Sequence, residues 1–435
     1  MSIARSRRFW CFCIILIAGF FAGCSNGDAP SGAAGEAGSE AGSPGLPTVA
    51  LAAPKSTPAR GAAENDDEDD DDPEDADDAD DEAVAIPKEG TPEWLVHEGT
   101  KLLLAPPPKT EDVEALKTHR HERNEKIIRL SQQAIENTRG EKEKERVLNL
   151  AVHNLMEARL QEALTGERSA VDALYEDAKD LSRRGPKSKA AAEGAHTLVN
   201  FAYTMARNAA GGSPKWIKEF ARQAQRFAAG YPDDERRSLP LLFTAGRSCE
   251  LAGLVREALD CYTLIQKDFP QNAFAARVTP IVRRLNLPGS PPRLGGPTLD
   301  GDQIAIDDFL GKVVLVVFWS AEVKPFLEQM PELLELTKKY TRRGLFVLGV
   351  NLDQDRTIVA EFVSQHKIRW TQVFESERDK QGWNNPAVTF YGIMDLPALW
   401  LIDQSGNVIS TNIKLEALSS ELDRLLGANS ENVNK

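Results

Sequence analysis

No cysteine follows Cys261 in this chain of 435 residues. The five present (Cys11, Cys13, Cys24, Cys249 and Cys261) are too few and too scattered for a disulfide scaffold or a cysteine-rich zinc site. Histidine is equally sparse. His97, His119, His121, His153, His196 and His366 are dispersed, and the close pair His119 and His121 stands two residues apart, which on a helix sends the rings to different faces and suits no metal. A phosphate loop is missing too, because Gly185-Pro186-Lys187-Ser188 has a proline between its Gly and Lys and lacks the upstream glycine. Nor is there a basic excess. The net charge is −14, yet the stretch from Glu64 to Glu82 alone carries 15 acidic residues and no basic one, leaving the rest of the chain at +1. Nucleic-acid binding, which needs clustered Lys and Arg to neutralise phosphates, is therefore not expected. These residues point to no metal and no cofactor.

What is present begins with a targeting signal. Arg5, Arg7 and Arg8 precede an apolar run from Phe9 to Phe21, shorter than a spanning helix needs and in the charged-then-apolar order of a secretory signal. The sequence Phe21-Ala22-Gly23-Cys24-Ser25 that follows resembles a bacterial lipobox, with Phe21 where Leu is usual. The resemblance implies that Cys24 is acylated and becomes the new N-terminus, anchoring the protein to a membrane of the cell envelope and facing it to the periplasm or exterior. Ser25 after the cysteine implies the outer membrane in a double-membraned bacterium. An ordinary signal peptide, or a short anchor with an incidental cysteine, is the other reading of residues 1–23. From 24 to 91 the chain is rich in Gly, Ala, Ser and Pro and then in acidic residues, a composition that cannot bury enough apolar surface to offset its ordering entropy. It reads as a disordered acidic linker.

Residues 92–287 are dominated by helix formers, with a 3.6-residue stripe through Leu148, Val152, Leu155/Met156, Leu160 and Leu164. Breaks fall at Pro106-Pro107-Pro108, Gly185-Pro186, Gly211-Gly212-Ser213-Pro214 and Tyr231-Pro232, so stacked helical hairpins are expected. Leu242, Ala245, Gly246, Gly253, Ala258, Tyr262 and Pro270 stand at the spacing of a tetratricopeptide repeat, which this segment resembles. Phe220, Ala224, Phe227 and Tyr231-Pro232 repeat the pattern of Ala258, Tyr262, Ile265 and Phe269-Pro270 at an offset of 38 residues. Arrays of this kind present a groove to a protein partner or pack against the next domain. Cys249 and Cys261 sit where small apolar residues are common; buried thiols and a disulfide between the two are both open.

From 291 to 427 the pattern turns to strands and helices. Val313 to Phe318 is a continuous apolar run, as expected for a strand buried on both faces. A helix from about Pro325 carries Phe326, Met330, Leu333 and Tyr340, a second strand spans Leu345 to Val350 and a second helix Thr357 to His366. Ala398 to Asp403 and Val408-Ile409 flank the turn Gln404 to Asn407 as a hairpin, and Leu415, Leu418, Leu422 and Leu425/Leu426 mark a last amphipathic helix before a tail at 428–435. Gly311 to Trp319, Met330-Pro331-Glu332-Leu333, Gly382 to Pro386 and Tyr391 to Pro397 leading into Leu401-Ile402-Asp403 make this domain resemble the TlpA/ResA group of thioredoxin-like proteins, within the AhpC/TSA-redoxin superfamily. The fold class expected is thus multidomain, an α-helical, tetratricopeptide-like domain followed by an α/β thioredoxin-like domain.

The chemistry turns on one departure. In the family, Phe-Trp is followed by Cys-x-Pro-Cys; here the stretch is Phe318-Trp319-Ser320-Ala321-Glu322-Val323-Lys324-Pro325-Phe326. Trp319 and Pro325 set the register, so Val323 takes the attacking-cysteine position and Phe326 the resolving one. Thiol exchange requires a thiolate, and neither residue supplies one. Glu322 has no identifiable partner for acid–base work and suits a helix start. The resemblance also implies that Pro397 is the family's cis-proline and lies with Trp319, Val323 and Phe326 where the family docks its substrate chain. Two functions follow. One is a lipid-anchored envelope protein with a redox-inactive thioredoxin-like domain that binds a protein or peptide, Trp319, Val323, Phe326 and Pro397 being its binding residues. The other is a thiol-disulfide oxidoreductase or antioxidant protein, the assignment that fold analogy alone would make.

Overall fold

A computed structural model describes residues 86–208 and 213–427. The signal segment 1–23, the acylation site Cys24, most of the acidic linker and the tail at 428–435 lie outside the described residues. Among those described, nine α-helices come first: α1 (Pro92–Leu104), α2 (Val113–Asn137), α3 (Glu145–Ala163), α4 (Arg168–Arg184), α5 (Lys189–Asn208), α6 (Pro214–Gly230), α7 (Glu235–Leu251), α8 (Val255–Asp268) and α9 (Ala273–Leu285). None of the described helices is long and apolar enough to cross a membrane. The expected breaks at Pro106, Gly185, Pro214 and Tyr231 all separate helices, and Pro214 opens α6 at a position where its missing N–H costs nothing. In α3 the stripe is buried through Val152, Leu155, Met156 and Leu160, while Leu164 falls just past the helix end and is exposed.

The helical part has two contiguous cores. One joins α1 to α5 around Ile127, Val152, Met156 and Phe201, and the other joins α5 to α9 around Phe220, Phe227, Leu242, Tyr262 and Ile265. Between α7 and α8 the small residue of the repeat pattern does what its spacing predicts. A β-carbon on Gly246 would lie 2.6 Å from Cε1 of Tyr262, so the tyrosine ring fills the space that glycine leaves. Cys249 and Cys261 belong to this second core as free, buried thiols, and the disulfide considered for them is not formed. Cys261 is turned toward α6, where its sulfur accepts a hydrogen bond from Gln225 Nε2 at 3.3 Å.

The α/β part starts with a short antiparallel hairpin, β1 (Gly295–Pro297) and β2 (Gln303–Ala305). It continues with β3 (Val313–Trp319), α10 (Lys324–Thr341), β4 (Leu345–Asn351), α11 (Arg356–Gln365), β5 (Thr371–Val373), α12 (Pro386–Tyr391), β6 (Ala398–Ile402), β7 (Val408–Ser410) and α13 (Leu415–Gly427). The main sheet has the order β5-β4-β3-β6-β7, with β3 parallel to β4 and antiparallel to β6. All seven residues of β3 are buried. The period of two divides them: Val313, Leu315, Val317 and Trp319 face the core with α10 and α13, whereas Val314, Val316 and Phe318 face a core closed by Leu287, Leu294, Tyr391 and Ile393. The outer strands are also engaged. Gly289 and Ser290 exchange main-chain hydrogen bonds with Val408 of β7, and Thr298 bridges Val373 of β5 while Phe374 N donates to Pro297 O.

Candidate functional site

The site is the turn between β3 and α10, at the carboxyl end of the central strands, where open α/β sheets place their ligands. Val323 is the N-cap of α10, in extended backbone, with no side-chain cap; its carbonyl accepts from Phe326 N and Leu327 N. Lys324 and Pro325 occupy the first helical positions. A cysteine side chain at the Val323 position would stand at the positive end of the helix, the environment that lowers a thiol pKa. Valine takes no advantage of it.

The turn is fixed from beneath by a carboxylate that the sequence reading did not single out. Asp353, 8% exposed just past β4, accepts Ser320 Oγ–H at 2.6 Å, Ala321 N–H at 3.0 Å and Asn351 Nδ2–H at 2.6 Å. Leu352 N donates to Trp319 O at 2.9 Å, so the end of β4 holds the end of β3 directly. A signal for Asp353 did exist: Asn351-Leu352-Asp353 places two polar side chains at the carboxyl end of a fully apolar strand.

Trp319, Val323 and Phe326 are brought together. The Trp319 indole donates to Gln372 Oε1 at 2.9 Å and lies 4.9 Å from the Phe326 ring and 5.4 Å from that of Phe362. Val323 packs on the same core and is half-buried. Pro397 follows a cis peptide bond from Leu396 and precedes Ala398, which pairs with Phe318, so the proline lies one register step on, opposite Trp319. The four residues expected to bind lie at different depths. Trp319 and Phe326 are both 0% exposed, so they support the surface from below, leaving Val323 and Pro397 as its accessible members. The Phe326 ring packs against those of Trp319 and Phe362, which buries it.

Two further residues of this domain were not singled out from the sequence. Trp383 is 54% exposed in a single 3-10 turn whose Gly382 lies near Leu352 O, just past the end of β4. Glu375, beyond β5, is held above the usual carboxylate range by burial. Cys249 and Cys261 are not at this site but in the helical core, and burial pushes their thiols up to about 12 and about 11.

Residues 311–408 match the family described as thioredoxin-like. The thiol-disulfide oxidoreductase ResA of Bacillus thuringiensis subsp. konkukian is 34% identical over 128 residues, which cover 29% of this chain and 69% of the relative. ResA of Geobacillus thermodenitrificans is 28% identical over 110 residues, covering 25% of this chain and 59% of the relative. A solved structure, the thioredoxin domain of a thiol-disulfide oxidoreductase from Bacteroides vulgatus, shares 25% identity at a TM-score of 0.29, covering 32% of this chain and 97% of that one. With the strand order, the motifs around Trp319 and Pro397 and a relative of this similarity in agreement, the chain belongs, through its C-terminal domain, to the ResA-type thioredoxin-like family.

Proposed function

We propose that this is a lipid-anchored protein of the cell envelope, in which the helical domain and a redox-inactive thioredoxin-like domain act together as a protein-binding or scaffolding module. One observation carries the reading. The two positions at which the family does its chemistry hold Val323 and Phe326, in a turn otherwise built to present a side chain at a helix N-terminus. Neither can form the mixed disulfide that exchange requires. What the turn retains is a surface of half-buried apolar groups, Val323 and Pro397, on a rigid support of Trp319 and Phe326. A peptide or protein partner fits such a surface better than a small charged ligand does.

The names of the relatives favour the other reading, a thiol-disulfide oxidoreductase. In the mature protein that activity would fall to Cys249 and Cys261. Both are buried with raised pKa values, so thiolate is scarce at neutral pH.

The deciding experiment is a reductase assay of the ectodomain against a model disulfide. No turnover is expected. Activity that persists when Cys249 and Cys261 are both replaced by Ser refutes the binding reading, and activity abolished by those replacements establishes the oxidoreductase one. For the anchor, Cys24→Ala is expected to abolish lipid labelling and release the protein from membranes. Unlabelled wild-type protein that stays in the membrane fraction overturns that part.

A further inference from the structure

The loop that carries Pro397 is gripped from outside its own domain. Arg284, in the last turn of α9 and 4% exposed, donates Nε–H to the main-chain oxygen of Tyr391 at 3.1 Å and Nη2–H to Glu250 Oε1 at 2.7 Å. Glu250, buried on α7, also accepts Arg247 Nη1 at 3.1 Å, and the other terminal nitrogen of Arg247 meets the carboxylate of Asp395. Beside them Arg283 donates to Phe390 O, with its guanidinium 4.0 Å above the Phe390 ring. Gly392 lies on α9 itself, and Met394 packs into the helical core around Tyr262. Phe390, Tyr391, Gly392, Met394 and Asp395 are thus all held by the helical domain, and Pro397 is two residues beyond the last of them.

We propose that Arg284 is a positioning residue for the Ile393–Pro397 loop, which makes the helical domain a working part of the docking site. This rests on the reading of that loop as a docking edge. A buried Arg–Glu pair returns little net stability, because both ions lose their water. It can, however, fix geometry. The planar guanidinium serves two acceptors at a set angle, and here one acceptor is on α7 and the other is the chain just before the loop. Lysine could keep the charge against Glu250 but cannot also hold the Tyr391 carbonyl in that fork.

The test is hydrogen–deuterium exchange on the full ectodomain carrying Arg284→Lys and, separately, Asp395→Asn. Asp395 is half-exposed, so its replacement leaves the fold intact whatever Arg284→Lys does. Arg284→Lys is expected to speed exchange of the segment 392–397 at least tenfold, while β3 and β4 exchange as in the native protein. Asp395→Asn is expected to give a smaller acceleration confined to the same segment. Unchanged exchange there in both variants, or in Asp395→Asn with an Arg284→Lys that does not fold, overturns the proposal. No partner is needed for this measurement, so reductase activity that defeats the docking reading leaves the result standing on its own.

Discussion

Ile281 leaves no room for a side chain on Gly392. A β-carbon there would lie 2.9 Å from both the backbone nitrogen and Cγ1 of Ile281, and the residue holds a left-handed φ of +60° at the end of α12. The first contact is with helix backbone, which cannot step aside. Gly253, with φ of +73° and nothing nearby, is the natural control. Gly253→Ala is expected to lose about 1–2 kcal/mol for conformation alone, and Gly392→Ala a further ~1–3 kcal/mol for forced overpacking. Urea denaturation of the two variants checks this; equal losses would mean that α9 yields freely.

Restoring sulfur to the turn is expected to restore part of the lost chemistry at a cost in stability. Val323→Cys alone is expected to give a thiol that titrates below the ordinary value, because it stands at the uncapped N-terminus of α10. Adding Phe326→Cys removes a ring in contact with Trp319, with a loss of about 3 kcal/mol by analogy with other aromatic truncations. The double variant is expected to reduce a model disulfide slowly. A Val323→Cys thiol that alkylates with an unshifted pH profile would contradict the placement.

Asp353 is expected to matter for stability rather than turnover. Asp353→Ala leaves the Ser320 hydroxyl, the Ala321 N–H and the Asn351 amide without their acceptor, at about 1–3 kcal/mol for each buried group left unpaired. Asp353→Asn keeps one acceptor oxygen and is expected to lose less. Thermal unfolding ranks the two, and an alanine variant as stable as the asparagine one would show that water replaces the carboxylate.

The helical domain carries a pH dependence of defined sign. Hydrogen bonds that His121 Nδ1–H donates to Glu162 at 2.7 Å and His153 Nδ1–H donates to Glu193 at 3.0 Å hold both imidazoles above the usual value. Their contribution is therefore complete below the unfolded value of about 6.5 and is lost as pH rises through each folded value. Burial holds His196 below its usual value, which works the other way as pH falls. Raising the pH from about 6 to about 8 is expected to remove less than about 1 kcal/mol per screened pair. Replacing His121 and His153 by Asn is expected to abolish that decline, and an unchanged slope would assign it elsewhere.

Much of this was legible from the chain because the informative elements are long and apolar. Val313 to Phe318 could only be a buried strand, and Trp319 and Pro325 aligned the turn on both sides of the missing cysteines. What escaped depends on distant partners. β5 is three residues around a buried glutamine and becomes a strand only by pairing with Leu348 to Val350. α12 is one short turn and a half, too brief to show a period. Arg284 reads as an ordinary cation in a last helical turn. Its meaning comes from a carbonyl 107 residues away. The depth of Trp319 and Phe326 is not legible in the sequence, since their burial depends on Phe362 arriving from α11.

The segment joining the two domains also covers a margin of the sheet. By lying along Val408, Gly289 and Ser290 occupy one outer margin of the sheet, as Pro297 to Leu299 occupy the other. Exposed strand margins are templates for adding another chain. Cutting this protein between its domains, for instance by starting expression at Gly295, would therefore do more than release a smaller fold. It would uncover a sticky border, and the truncated product is expected to self-associate where the longer chain stays monodisperse.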